Sequence, residues 1–120
     1  MRLPRAMRMT SRGEFLRVRR DGKSFGGRYL VLGVLPDPSL EVPFKFGVIL
    51  TRKVGNAVVR NLVRRRVKSV IGEIGEDLST GHYIVTIARH SAPKASFEEL
   101  RRDWKKLARR AGLLSSEASA

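Results

Sequence analysis

The chain has no cysteine, only two histidines, and 11 Asp and Glu against 25 Lys and Arg. The first absence excludes disulfides, thiolate–zinc sites and cysteine nucleophiles, and it fits a reducing, cytoplasmic location. His82 and His90 flank an apolar run rather than standing at metal-ligand spacing, so both read as structural. The few acids concentrate in residues 73–77 and 98–103, away from the most basic segment. They are better explained as a loop and as favourable charges near a helix N-terminus than as a two-metal nuclease centre. Serines and threonines lack a basic partner. No apolar run approaches the ~20 residues that span a bilayer, and residues 1–20 lack the apolar core of a signal peptide. Gly26, Gly27 and Gly55 match no phosphate-cradling fingerprint; Gly55 reads as the hinge of a tight strand-to-helix turn. No membrane partner, small-molecule substrate or protein catalytic centre is expected.

Positive charge is what the chain has in excess. Its formal net charge is +14 and its pI about 11.5, a balance that favours a polyanionic partner such as nucleic acid. At 120 residues and 42% hydrophobic, it is the size of one domain with one core. The charge is densest in RKVGNAVVRNLVRRRVK, residues 52–68, which follows an apolar strand. At about 100° per residue, Val59, Val63, Val67, Val70 and Ile74 share one side of a helix. Asn61, Arg64, Arg65 and Lys68 share the other, with Arg60 at its edge. Solvated helix faces normally mix signs, whereas Arg60, Arg64, Arg65, Arg66 and Lys68 precede the first acid, Glu73. Like charges this close oppose helix formation, so the face is read as built for an anionic partner.

The remaining organisation is compact. Residues 1–9 form a basic tail, extended or mobile, and residues 10–114 a single nucleic-acid-binding α/β domain. Residues 115–120 read as a disordered C-terminal tail. Ser11 with Glu14, and Ser96 with Glu99, are capping boxes that open two helices. Strands are predicted over residues 28–35, 44–51 and 82–88, with a short extra strand at 23–25 or 39–43. The two strands joined by the arginine helix are predicted to pair in parallel through a crossover. The final helix carries Leu100, Trp104, Leu107 and Ala108 inward, and with its Arg109 it is read as peripheral. The result is an α+β fold, one three- or four-stranded sheet with packed helices.

KVGNAVVRN at 53–61, followed by Arg64 and Arg65, resembles the signature of the protein subunit of bacterial ribonuclease P. The resemblance extends over almost the whole chain, from Phe15, Val18 and Gly22 to the closing helix. Position 62 is Leu where the family's Arg-Asn-Arg core continues, and Arg19 and Gly33 stand where many relatives carry aromatic residues. The family resemblance implies a fold like domain 2 of ribosomal protein S5, with a left-handed βαβ crossover contrary to the usual rule. It implies a ribonucleoprotein whose RNA subunit performs the Mg2+-dependent endonucleolytic removal of the 5′ leader from precursor tRNA. Magnesium is then bound mainly by RNA, and the protein partners are ribonuclease P RNA and precursor tRNA. By the same resemblance Arg52, Lys53, Asn56, Arg60, Asn61, Arg64, Arg65 and Lys68 face the catalytic RNA. Phe15, Val18, Arg19, Arg28, Val31 and Gly33 are candidates for the leader, on the sheet face opposite Leu30, Leu32 and Val34. For Phe15, ordinary core packing is an equal reading. The alternative function is a generic basic RNA-binding, ribosome-associated protein; a third is a nuclease acting alone.

Overall fold

In the computed structural model, which describes residues 1–115, the elements run α1 (Arg12–Asp21), β1 (Lys23–Gly26), β2 (Leu30–Pro36), β3 (Phe44–Ile49), α2 (Ala57–Ile74), β4 (His82–Ala88) and α3 (Phe97–Arg110). The strands form one sheet in the order β1-β2-β4-β3. β1 and β2 pair antiparallel, as do β2 and β4. β3 and β4, joined by α2, pair in parallel as predicted. The extra strand is the one at residues 23–26; residues 39–43 form none. Both capping boxes close, with Ser11 and Ser96 each accepting from, and donating a backbone N–H to, the glutamate three residues on.

Both sheet faces carry packed elements, the second only in part, and this positions the site. On one face Leu30, Leu32, Phe44, Phe46 and Ile84 pack against the buried sides of α2 and α3. Trp104, fully buried, donates its indole N–H to Thr86 Oγ1 at 2.9 Å. On the other face Leu35, Tyr83 and Val85 pack with Val18 and Met9 beneath α1. Glycines set how closely α1 can approach. A Cβ at Gly47 would lie 2.4 Å from the Phe15 ring, and one at Gly33 would lie 3.4 Å from Val18. Glu14, at the head of α1, binds Lys45 of β3 at 2.9 Å, and Arg17 binds Asp37 at 3.1 Å. These pairs tether α1 to β3 and to the turn after β2.

The N-terminal segment is a correction to the sequence expectation. Residues 1–9 are not a loose tail: Arg5–Met7 form a 3-10 turn, Arg8 bridges Phe46 in parallel, and the Met9 N–H bonds the Phe46 carbonyl at 2.8 Å. Met7 and Met9 are buried and Leu3 packs on the core. The arginines of this segment stay exposed while its apolar residues supply the burial that holds it. Of the expected C-terminal tail, residues 116–120 lie outside the described residues.

Asp103 joins α3 to the sheet. Its buried carboxylate accepts the backbone N–H groups of Arg28, Tyr29 and Leu30 at 3.1, 2.9 and 3.0 Å. Gly27 is required beside it, because a Cβ there would lie 2.6 Å from the carboxylate oxygens. Asp103→Ala strands these amides, and its expected cost is about 2–4 kcal/mol in urea denaturation. A loss below about 0.5 kcal/mol would show that water replaces the carboxylate.

Candidate nucleic-acid interface

Asn56 caps α2, its Oδ1 accepting the Val59 N–H at 3.0 Å. Gly55 takes a φ of 153°, and a Cβ there would meet Val59 at 2.8 Å, so the turn into the helix needs glycine. The predicted apolar stripe is buried at Val63, Val67, Val70 and Ile74, with Ile71 added, while Val59 is only half-buried. The opposite side opens as a shallow recess lined by Val58, Asn61, Arg64, Arg65 and Lys68. Arg64 donates to Asn61 Oδ1 at 2.8 Å, which pre-orients both groups. Arg52 and Lys53 are exposed on the turn before the helix, anchored by buried Val54. Arg60 is half-buried at the margin. Among the described residues none of these cations takes part in an ion pair. Arg66 points elsewhere, donating to the Ala95 carbonyl at 3.0 Å and tying α2 to the segment before α3.

The second surface is a cleft of about 460 Å³ between α1 and the sheet, lined by Phe15, Leu16, Val18, Arg19, Ser24, Gly33, Ile49, Val85 and Ile87. Its floor is apolar; Arg19 supplies a cation and Ser24 a hydroxyl. The structure therefore brings four of the six candidate leader residues together. Val31 lies on the same sheet face beside its partner Ile87, half-buried and outside the lining. Arg28 is a correction. The turn before β2 is docked on Asp103, so Arg28 faces α3, with its guanidinium carbon 5.4 Å from the Tyr29 ring centroid. Phe15 serves both readings: it packs against Gly47 and also lines the cleft.

Spacing did not reveal that Arg8, Leu16, Ile49, Val85 and Ile87 line these surfaces. The apolar run at 82–88 did carry a signal, since a strand apolar on both faces is covered on both. Arg8 is placed by the docked N-terminal segment. It shares a groove with Met9, Phe15, Phe46, Gly47, Val48, Arg64 and Lys68. Phe15 thus borders both the cleft and this groove, making the apolar floor continuous with the cationic face.

A family model described as Ribonuclease P matches residues 3–112. The chain belongs to the ribonuclease P protein family. It is 37% identical over 115 residues to the ribonuclease P protein component of Symbiobacterium thermophilum, covering 96% of this chain and 99% of that one. Among solved structures, the Staphylococcus aureus RNase P protein superposes with a TM-score of 0.84 at 21% identity, covering 91% of this chain and 98% of that one. The RNase P protein of Thermotoga maritima gives 0.76 at 25% identity, covering 86% and 96%. As a ribonuclease P protein component, the chain is a subunit of an endoribonuclease with a role in tRNA 5′ processing.

Lys68 reports on the electrostatics of the cationic face. Partial burial, then the neighbouring Arg8 and Arg64, hold its ammonium below the ordinary lysine range. A phosphate seated there favours the charged form and raises the pKa again. RNA binding should therefore take up a proton, and affinity should fall as pH rises through the free-state Lys68 pKa. Lys68→Arg, always charged, should flatten that alkaline limb in a series of Kd measurements. An unchanged limb would place Lys68 away from phosphate.

Proposed function

We propose that α2 and the turn before it bind the catalytic RNA of ribonuclease P, while the α1 cleft receives the single-stranded 5′ leader of precursor tRNA. The observation that carries this reading is the continuity of the two surfaces at Phe15. Single strands are held by apolar or stacking platforms flanked by cations. The cleft supplies the platform, Arg19 a cation at its rim, and Arg8, Arg64 and Lys68 a cationic exit. On the α2 face, Arg52, Lys53, Arg64 and Arg65 are suited to phosphate, and Asn61 can add a directional amide contact. The same face joins the tRNA's scissile region to the RNA that cuts it, in a cytoplasmic ribonucleoprotein.

Family membership is consistent with a metal-dependent holoenzyme. Magnesium takes oxygen ligands, chiefly carboxylates, phosphates and water. The cations and amides of this face do not fit that donor set, and the Asn61 oxygen is engaged by Arg64. Magnesium is accordingly assigned to the RNA, and the protein's part is to neutralise phosphate charge and to orient the leader. No described helix is long and apolar enough to cross a membrane.

Leu16 and Arg19 give the cleanest test, because both are exposed and their loss should leave the fold intact. In the reconstituted holoenzyme, Leu16→Ala/Arg19→Ala should weaken precursor tRNA binding by roughly 1–2 kcal/mol. Mature tRNA, which lacks the leader, should bind as before. Equal losses for both ligands would remove the leader from this cleft. Phe15→Ala is a poorer probe, since it also opens a gap over Gly47.

A further inference from the structure

A third surface uses cations that neither the α2 face nor the cleft employs. Arg28, Arg102, Lys106 and Arg109, the last read from the sequence as peripheral, converge on a recess of about 400 Å³ between α3 and the turn before β2, with Glu99 and Asp103 on its wall. Arg102, Lys106 and Arg109 stand at i, i+4 and i+7, a single stripe of one helix. Like charges at that spacing oppose helix formation. The two carboxylates are already committed. Asp103 accepts three backbone N–H groups, and Glu99 accepts the Ser96 N–H and the Tyr29 hydroxyl, each at 2.9 Å. Among the described residues the four cations take part in no ion pair. Arg109 Nε is buried and lacks a hydrogen-bond partner, so none of its neighbours neutralises this guanidinium.

The sheet order separates this recess from the interface already described. Arg64 and Lys68 share their groove with Phe46, Gly47 and Val48 at the β3 edge, whereas the recess lies against the start of β2. The cationic surface continues along the opposite edge strand, where Arg110 donates to the Gly26 carbonyl at 3.1 Å. We propose that the α3 recess is a second RNA-binding surface, which takes the phosphate backbone of a separate RNA segment. One chain then bridges two segments at opposite edges of its sheet. Guanidinium groups lining an open recess suit phosphate, which they can grip through paired N–H donors. The inference rests on the reading of this chain as an RNA-binding subunit, and it extends that reading to α3.

The test uses the full chain and a short RNA duplex supplied in donor-labelled and acceptor-labelled forms. The unaltered chain should hold one of each in a single complex, seen as energy transfer. Arg102→Ala/Lys106→Ala removes two exposed cations without touching Asp103. It should weaken the second duplex at least tenfold and lower the summed salt slope of log K by roughly 1.8, while the first duplex stays bound. The control Arg12→Ala/Lys94→Ala, which removes two exposed cations elsewhere, should keep both duplexes. One duplex per unaltered chain, or an equal loss in the control, would overturn the proposal. Because the duplexes are generic, a chain that bridged them yet gave a ribonuclease P RNA no assistance would refute the subunit reading and leave the bridging intact.

Discussion

The burial of Val63, Val67, Val70, Ile71 and Ile74 along one side of α2 is the constraint on which the cationic face depends. Fully burying such side chains contributes about 1.5–3 kcal/mol each, whereas a like-charge pair on a helix surface costs only a few tenths. The apolar stripe therefore outweighs the repulsion among Arg64, Arg65 and Lys68 and presents them on a rigid element. A flexible cationic segment would have to be ordered at the moment of binding; this one is ordered beforehand. Arg66 strengthens the arrangement from the side, through its bond to the Ala95 carbonyl.

The same economy shapes the opposite sheet face. α1 covers only part of it, held by Glu14–Lys45 and Arg17–Asp37, and approaches where Gly33 and Gly47 leave room. The part left uncovered is the cleft. Desolvation works against the charged form of Glu14, but Lys45 and the backbone N–H groups of Ser11 and Thr10 bring its pKa below the ordinary carboxylate value. Its share of stability is present above the unfolded pKa and is lost as pH falls through the folded one. The cleft thus keeps its shape at neutral pH.

Much of this was legible in the sequence wherever local pattern decides structure. The valine periodicity located the buried side of α2, the two Ser–Glu boxes opened α1 and α3, and the apolar run at 82–88 gave β4 its bounds. What escaped depends on contacts between distant segments. Residues 1–9 looked mobile because Arg2, Arg5 and Arg8 dominate them. Their order comes from Leu3, Met7 and Met9 finding a surface made by residues far along the chain. Arg28 was misplaced because its orientation is set by Asp103, 75 positions away. Nor can a sequence show that the glycines at 33 and 47 stand where a helix crosses.

On the proposed function, this subunit contributes charge neutralisation and positioning while RNA performs the cleavage. The most direct measurement is leader removal from precursor tRNA by a bacterial ribonuclease P RNA across a magnesium series, with and without the chain. The chain is expected to lower the magnesium required, and high magnesium largely to replace it, because both relieve the same phosphate repulsion. A requirement for the chain that persists at saturating magnesium, or cleavage by the chain without RNA, would contradict that function.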